Sequence, residues 1–248
     1  MVLRMVRTIG RLWASGQYRS LVLLRLTGAR NLFQHTSFTL ENRYPAIFAF
    51  ARERIADGND VHLLSFGCST GEEVFSLRRY FPTAAIRGLD INRGNVALCK
   101  YRLRGRPDER ISFAVADSAR GETASSYDAV FCMSVLRHGD LGETRPRWCG
   151  DRLRFSDFEA MVSDLADCVK PGGLLAIANS NFRFCDTAAF SGFETVFSRG
   201  AWPDESRTPV YDKDNLLLEG EVYREIIFRK RSRQNAAGAF AAIDAKQR

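Results

Sequence analysis

The segment from Val61 to Glu73, VHLLSFGCSTGEE, joins a short apolar run to a glycine-containing turn and two carboxylates. The apolar run is typical of a β-strand, and the turn predicts a helix that begins near Gly71. Gly67 and Gly71 would let the backbone approach a ligand closely. A phosphate-binding turn of the GxxxxGK[ST] type would place a lysine after the last glycine, whereas Glu72 and Glu73 stand here. The turn therefore favours a cationic ligand, unless the two carboxylates only stabilise the positive end of the helix dipole.

A second apolar run ends in an acid. The run from Ile86 to Ile91 contains Asp90, seventeen residues after Glu73, and a helical segment separates the two acids. In a βαβ unit, an acid at the end of the second strand can accept hydrogen bonds from the ribose hydroxyls of a nucleoside. The spacing therefore predicts a nucleoside site with Asp90 as the ribose ligand.

The glycine turn and the second strand together resemble a known enzyme family. GCSTGEE (67–73) followed by GLDIN (88–92) is similar to the class I S-adenosylmethionine-dependent methyltransferases, and the glycine turn is most similar to that of the chemotaxis receptor glutamate methyltransferases. KPGG (170–173) before an apolar run is a further match. The resemblance extends from about Arg43 to Lys230 and implies S-adenosylmethionine as the cofactor. It also implies an α/β, Rossmann-like fold with a seven-stranded, mostly parallel sheet and helices on both faces.

The resemblance indicates which residues would hold the cofactor. Asp117, at the end of the third predicted strand, matches an acid that meets the adenine amino group in the family, although an aspartate there could also simply cap the next helix. Gln34, His35 and Tyr44 precede the first strand and could reach the cofactor from above, as this segment does in related methyltransferases. The predicted cofactor-binding residues are Gly67, Cys68, Ser69, Gly71, Glu73, Asp90, Ile91, Asp117, Ser118 and Cys132.

The fourth predicted strand, Tyr127 to Val135, is followed by Arg137 and His138. Ligands lie outside the carboxyl ends of the strands in open α/β sheets, so we predict that these two residues contact the methyl acceptor. His138 could act as a general base where the acceptor requires deprotonation, although a lone histidine can also be structural. Arg183, after the fifth strand, could either bind an acidic group of the acceptor or pair with Asp186.

Composition favours one globular domain with extensions. The chain has 248 residues, and a hydrophobic fraction of 45% is enough for a sizeable core. Six cysteines without CxxC spacing and three widely separated histidines predict neither a disulfide framework nor a metal site. We predict a basic helical extension over residues 1–40, a methyltransferase domain over 41–230, and a flexible basic and alanine-rich tail over 231–248.

The net charge of +7 is concentrated at the two ends of the chain. Residues 1–40 contain six arginines and no acid, whereas the middle of the chain is net acidic, so nucleic acid is not a predicted partner. Arg4, Arg7 and Arg11 argue against a signal peptide, and the run from Leu21 to Leu24 is too short to span a bilayer. We therefore expect a cytoplasmic protein. Its N-terminal helix could rest on an anionic membrane surface, or could instead pack on the core and cover the active site.

The sequence constrains the acceptor less than the cofactor. CMSVLRHG (132–139) stands where methyltransferases of DNA bases and protein glutamine carry Asn-Pro-Pro-Tyr, which argues against those substrates. The chemotaxis enzymes also have an N-terminal helical domain and a small β subdomain, whereas the N-terminal region here is short, so a receptor is not the predicted substrate. We expect a small molecule, or the polar head group of a lipid or glycan.

Two alternatives to this function come from the same residues. A protein carboxylate is the alternative acceptor suggested by the glycine turn, and a non-catalytic protein that retains the fold is a further possibility, although the cofactor turn looks intact. An NAD-dependent oxidoreductase is disfavoured because GxGxxG is absent and carboxylates would face the pyrophosphate.

Overall fold

A seven-stranded sheet forms the centre of the protein. The computed structural model describes residues 16–29, 31–34, 39–198, 200 and 208–232. The strands are β1 (His62–Phe66), β2 (Ala85–Asp90), β3 (Ile111–Val115), β4 (Tyr127–Met133), β5 (Val169–Ala178), β6 (Phe193–Ser198) and β7 (Glu225–Lys230). They lie in the order β3-β2-β1-β4-β5-β7-β6. Strands β1 to β5 are parallel, and β7 is antiparallel to β5 and β6, so the mostly parallel sheet is confirmed.

Helices cover both faces of this sheet. They are α1 (Gly16–Leu26), α2 (Pro45–Arg54), α3 (Glu72–Tyr80), α4 (Arg93–Gly105), α5 (Gly139–Thr144) and α6 (Phe155–Cys168), with short 3-10 turns at Phe184–Asp186 and Ala188–Gly192. Adjacent residues of β1 point to opposite faces. Leu63 packs with the buried residues of α2, α3 and α4, whereas Leu64 packs with those of α6. The predicted α/β fold class is therefore confirmed.

Local sequence signals account for several of these elements. Phe158 and Leu165 are at positions i and i+7 of α6 and therefore on the same side of the helix, and both are fully buried. Helix α4 begins after Asn92, whose side-chain oxygen accepts hydrogen bonds from the backbone N–H groups of Gly94 and Asn95. This N-cap fixes the direction of the chain as it leaves β2.

Strand β5 begins earlier than the sequence predicts. The Lys-Pro-Gly-Gly segment is expected to be a turn that ends before a strand at Leu174, whereas the structure already pairs Val169 with Tyr127 and then Leu174 with Ala129. The residues between these pairs form a bulge, in which Gly172 adopts a φ of +81°. Val169 is fully buried, and this burial stabilises its pairing with Tyr127 on the N-terminal side of the bulge.

The described residues include the C-terminal strands of the sheet and part of the N-terminal extension. β6 and β7 form an antiparallel pair, and β7 ends at Lys230. In the N-terminal extension, α1 is helical, while residues 1–15 and most of the predicted tail, 233–248, lie outside the described residues. The three-part division of the chain stays a prediction. No helix in the described ranges is long and apolar enough to cross a membrane.

Candidate functional site

A cavity of about 570 Å³ opens at the carboxyl ends of the parallel strands. Its wall includes residues at the ends of β1, β2, β3 and β4, together with residues of α1, α5 and the segment before α2. The strand order reverses between β1 and β4, because the chain first proceeds outward to β3 and then returns to the other side of β1. Open α/β sheets bind ligands in the crevice at such a switch point.

The glycine turn forms the floor of this cavity beside β1. The backbone N–H groups of Gly67 and Cys68 both donate to the carbonyl oxygen of Leu89, at 2.8 and 2.9 Å, which ties the turn to the end of β2. Gly67 has a φ of +71°, and a β-carbon added there would lie 2.3 Å from Cγ2 of Val135. Glycine is therefore required at position 67 by both the backbone conformation and the packing.

Asp90 holds the shape of the turn. This side chain is 7% exposed, and its Oδ2 accepts a hydrogen bond of 2.8 Å from the backbone N–H of Ser69. Its Oδ1 accepts hydrogen bonds from the backbone N–H of Asn92 and from Nδ2 of Asn95, at 2.8 and 3.1 Å. Burial raises the pKa of the Asp90 carboxyl above its ordinary value. Asn92 and Asn95 also line the cavity, which the sequence did not predict for either residue.

The two adjacent glutamates have different environments. Glu73 lines the cavity, accepts a hydrogen bond of 2.7 Å from Oγ of Ser65, and has its pKa raised to about 7 by burial, although the positive charge of Arg43 acts in the opposite direction. Glu72 instead accepts hydrogen bonds from Thr70 and from Arg102, the latter at 2.6 Å, and is not part of the cavity wall. Only Glu73 is placed to meet a ligand, and Glu72 fits the helix-dipole alternative.

Most of the predicted cofactor-binding residues meet in this cavity. Those on its wall are Gly67, Cys68, Ser69, Glu73, Asp90, Ile91 and Asp117. Gly71, Ser118 and Cys132 are not on the wall. Gly71 precedes α3 with a φ of +94°, and Cys132 is fully buried in the core between the sheet and α6. Of the residues before the first strand, Gln34 and Tyr44 line the cavity, whereas His35 lies outside the described residues.

Of the two predicted acceptor-binding residues, one lines the cavity and the other does not. Arg137 lines the cavity, whereas His138 is 4% exposed and does not. The backbone N–H of His138 donates to Oδ1 of Asn181 at 2.8 Å. Arg183 pairs with Asp186 through two hydrogen bonds of 2.8 and 3.1 Å, which is the structural alternative considered for it.

A polar cluster beside β4 and β5 was not predicted as a unit. The hydroxyl groups of Tyr44 and Ser134 lie 2.7 Å apart, and both residues line the cavity. Nδ2 of Asn179 donates to Oγ of Ser134 at 2.7 Å. The sequence places Tyr44 before the first strand, Ser134 after β4 and Asn179 after β5, so only the fold brings the three together.

Helix α1 lies against the side of the cavity formed by the end of β2 and the start of α4. Leu21 is part of the cavity wall, and Gln17 contacts Asn92 and Asn95, the two residues that bind Asp90. Gly94 permits this approach, because a β-carbon there would lie 2.6 Å from Cα of Gln17. The described part of the N-terminal extension thus covers the site, in agreement with one of its two predicted placements.

A family model matches the part of the chain that contains most of the cavity wall. Residues 64–175 match a model described as a methyltransferase domain. The matched residues include the glycine turn, Asp90 and Ser134, and so contain the cavity residues contributed by β1, β2, β3 and β4. Together with the strand order, the match identifies the fold as the Rossmann-like fold of class I methyltransferases.

Individual proteins are similar over part of the chain. An uncharacterized protein of Synechococcus sp. is 28% identical over 138 residues, which is 54% of this chain and 29% of that protein. Phosphoethanolamine N-methyltransferase 2 of Haemonchus contortus, solved with phosphomonomethylethanolamine and S-adenosylhomocysteine, aligns over 72% of this chain and 35% of its own, with 16% identity and a TM-score of 0.44. The [4+2]-cyclase SpnF aligns over 65% and 57%, with 22% identity and a TM-score of 0.43. This chain therefore spans less than two thirds of each of these proteins.

Proposed function

We propose that this protein is an S-adenosylmethionine-dependent methyltransferase that acts on a small molecule or on the polar head group of a lipid or glycan. The observation that carries the proposal is that two carboxylates, Glu73 and Asp90, line one cavity on either side of a glycine turn at the switch point of the sheet. Acidic groups at these two points suit a ligand with ribose hydroxyls at one end and positive charge at the other.

The residues on the wall suggest how the cofactor would be held. Asp90 would accept hydrogen bonds from the ribose hydroxyls, and Asp117, one strand further along the sheet, would meet the adenine amino group. Glu73 would bind the ammonium group of the methionine part, and Arg43, which also lines the cavity, would bind its carboxylate. S-adenosylmethionine, when bound, supplies a methyl group on a positively charged sulfur, and transfer requires mainly that the acceptor be held in line with it.

The acceptor would occupy the half of the cavity beside the end of β4, on the opposite side of β1 from β2. This half is formed by residues that follow β4, including Ser134 and Arg137, and by Glu143 of α5. The charged and hydroxyl groups in this wall support a polar acceptor. A protein carboxylate is the alternative acceptor, and a non-catalytic protein with the same fold is the alternative function.

Calorimetric titration of the purified protein with S-adenosylmethionine, with NAD as the control ligand, tests the proposal. We expect S-adenosylmethionine to bind with a dissociation constant on the order of micromolar, and NAD not to bind, because carboxylates would face its pyrophosphate. Absence of binding by both ligands would favour the non-catalytic alternative, and preferential binding of NAD would refute the cofactor assignment.

The affinity for S-adenosylmethionine should depend on pH through Glu73. Because burial raises the pKa of this carboxyl to about 7, it is protonated below that pH and gains its negative charge above it. The charged form attracts the ammonium group, so the dissociation constant should fall as the pH is raised through about 7 and level off above it. Calorimetry between pH 6 and 8 measures this change.

Two matched variants isolate the effect of that carboxyl. Glu73→Gln should bind S-adenosylmethionine more weakly and without this pH dependence. Glu72→Gln should keep the wild-type pH profile. Burial raises the pKa of Glu72, but hydrogen bonds from Thr70 and Arg102 outweigh it and hold the pKa below its ordinary value, so Glu72 stays ionised throughout the range. A pH profile that is unchanged in Glu73→Gln would exclude Glu73 as the titrating ligand.

We also propose that the outer face of α1 rests on an anionic membrane surface. Leu23 and Leu26 are 62% and 80% exposed, and Arg19 and Arg25 on the same helix are exposed beside them. An apolar face flanked by arginines suits the boundary of an anionic bilayer. Co-sedimentation should show binding to phosphatidylserine-containing vesicles and not to neutral ones.

Substitutions on α1 locate this contact. Leu23→Glu with Leu26→Glu should reduce vesicle binding by about tenfold or more, because each change removes apolar area and adds a repelled charge. Leu216→Glu, at a leucine that is 41% exposed outside α1, is the matched control and should leave vesicle binding unchanged. Equal binding to neutral vesicles, or no binding by the intact chain, would refute the membrane proposal.

A further inference from the structure

The first turn of helix α1 lies against the residues that hold Asp90. Nε2 of Gln17 donates to Oδ1 of Asn95 at 3.2 Å, and the carbonyl oxygen of Gln17 accepts a hydrogen bond of 3.1 Å from Nδ2 of Asn92. Asn92 and Asn95 are 3% and 1% exposed. Oδ1 of Asp90 accepts a hydrogen bond from the backbone N–H of Asn92 and another from Nδ2 of Asn95. Helix α1 is therefore connected to Asp90 through two buried asparagines.

The hydrogen bonds of Asn95 define the orientation of its carboxamide. Its Nδ2 donates to Oδ1 of Asp90 at 3.1 Å, and its Oδ1 accepts the hydrogen bond from Gln17. An amide nitrogen only donates and an amide oxygen only accepts, so the two contacts require the same placement of the nitrogen and the oxygen. Gln17 therefore favours the orientation in which Asn95 is a donor to Asp90.

Gly94 allows the backbone of α1 to approach this point. A β-carbon at position 94 would lie 2.6 Å from Cα of Gln17, 2.6 Å from the carbonyl oxygen of Gly16 and 2.7 Å from the backbone nitrogen of Gln17. All three are backbone atoms, which cannot move aside by a change of rotamer. Glycine is less favourable than alanine within a helix. Position 94 therefore carries a residue that is unfavourable for α4 but necessary for the approach of α1.

Burial in the core contributes little to the position of α1. None of the eleven residues of this helix is buried. Leu21 lines the cavity, whereas Leu23 and Leu26 are largely exposed. An element with few buried apolar contacts opens at a low free-energy cost. The polar contacts of Gln17 and the occupant of the cavity therefore have a large share in keeping α1 docked.

We propose that Gln17 is a positioning residue of the cofactor site. With α1 docked at Gly94, it holds Asp90 in the orientation that selects ribose over 2′-deoxyribose. The inference rests on the proposed methyltransferase function, in which Asp90 binds the ribose hydroxyls. Gln17 directs Nδ2 of Asn95 to Oδ1 of the carboxylate, and the backbone N–H of Ser69 holds Oδ2. Because both oxygens are held from the protein side, the carboxylate is presented to the cavity in one orientation.

Two glycine variants of α4 test the docking of α1. Gly94→Ala should displace α1 and weaken binding of S-adenosylhomocysteine by about tenfold, measured by calorimetry, because the charged acceptor loses its fixed orientation. Gly105→Ala is the matched control, since a β-carbon at this position of the same helix would meet no atom within 4 Å. Both changes introduce a better helix former, so a weaker α4 would not explain a loss confined to Gly94→Ala. Equal affinity of the two variants would refute the role of α1.

Hydrogen exchange of the backbone amides of residues 16–26 measures docking directly. A ligand that binds the docked form more tightly must itself favour docking. Saturation of the wild type with S-adenosylhomocysteine should therefore slow exchange in α1. In Gly94→Ala, exchange should be faster and the ligand should slow it less. Unchanged exchange of α1 on wild-type protein that calorimetry shows to be saturated would contradict the link between α1 and the cofactor.

A substitution of Gln17 separates positioning from a merely structural role. Gln17→Glu replaces the amide donor with a carboxylate that only accepts, so Asn95 should turn its Nδ2 toward position 17 and away from Asp90. Affinity for S-adenosylhomocysteine should fall by about tenfold, and affinity for its 2′-deoxy analogue should fall much less. The ratio of the two affinities therefore declines. A merely structural role would lower both affinities equally and leave the ratio unchanged.

Thr27→Glu is the matched control for the added charge. Thr27 is an exposed residue just after α1, and this variant should keep both affinities and their ratio. An equal decline of the ratio in Thr27→Glu and Gln17→Glu would assign the effect to charge alone and overturn the role of Gln17.

Calorimetry of the wild type distinguishes this inference from the function on which it rests. Failure of the wild type to bind S-adenosylhomocysteine would refute the proposed methyltransferase function. Binding by the wild type, together with an unchanged ratio in Gln17→Glu, would refute only the positioning role of Gln17.

Discussion

Asp90→Ala is expected to reduce the affinity for S-adenosylmethionine by at least about 100-fold, because two ribose hydroxyls would lose a charged acceptor and each such hydrogen bond contributes about 1.5–3 kcal/mol. The substitution also removes the acceptor for the backbone N–H of Ser69, so the glycine turn would lose its connection to β2. Calorimetry with S-adenosylmethionine measures the affinity, and thermal unfolding measures the accompanying loss of stability.

Asp57→Ala is the matched control for this substitution. Asp57 also accepts hydrogen bonds at one end of β2, from the backbone N–H groups of Thr83 and Ala84 at 2.9 and 3.0 Å, but at the amino end of the strand, away from the cavity. It should lower the unfolding temperature and leave cofactor affinity unchanged. If Asp57→Ala and Asp90→Ala lost affinity equally, the loss would reflect general destabilisation, and Asp90 would not be the ribose ligand.

That the glycine turn and Asp90 would line one cavity could be predicted because the signals are local. The glycine turn, α3 and β2 follow one another within about 30 residues, and the parallel connection between the two strands places the turn beside Asp90 whatever the rest of the chain does. The short apolar runs are also local signals, and they predicted the strands of the sheet. Residues close in sequence and joined by one crossover need no further information to be placed together.

The different environments of Glu72 and Glu73 could not be predicted from the turn. Both stand in the first turn of α3, and the difference arises because Arg102, thirty residues further on, binds Glu72. Cys132 shows a related limit. From Ala129 onward β4 is apolar, so there is no alternation from which to decide which residues face the core. The structure places Cys132 in the core.

The acceptor half depends on contacts between distant segments. Tyr44 and Ser134 are 90 residues apart, and Ser134 and Asn179 are 45 apart, so no local pattern connects them. His138 was predicted to contact the acceptor because it follows the carboxyl end of the fourth strand, yet it is 4% exposed and is not on the cavity wall. Position after a strand predicts that a residue lies near the cavity, but loop geometry decides which side chain enters it.

Gly67→Ala is expected to reduce cofactor affinity by about 100-fold, because the added methyl group both strains the backbone and overfills the turn. Position 67 has a φ of +71°, and the new β-carbon would lie 2.3 Å from Cγ2 of Val135. Val135 is branched at Cβ and therefore has few rotamers with which to avoid the contact. The turn would be displaced into the space that the cofactor needs, and calorimetry measures the loss.

Gly220→Ala separates backbone strain from packing. Gly220 has a nearly equal φ of +73°, but a β-carbon there would meet no atom within 4 Å. This control should lose about 1 kcal/mol of stability from the left-handed conformation alone and keep its affinity for S-adenosylmethionine. Combining Gly67→Ala with Val135→Ala removes the two contacting methyl groups and should restore part of the affinity, because the backbone strain and a contact of 3.3 Å with Cβ of residue 135 are left. Wild-type affinity in Gly67→Ala would mean that the cofactor does not lie against this turn. A ligand that is held close to the backbone of the turn could not tolerate the added methyl group.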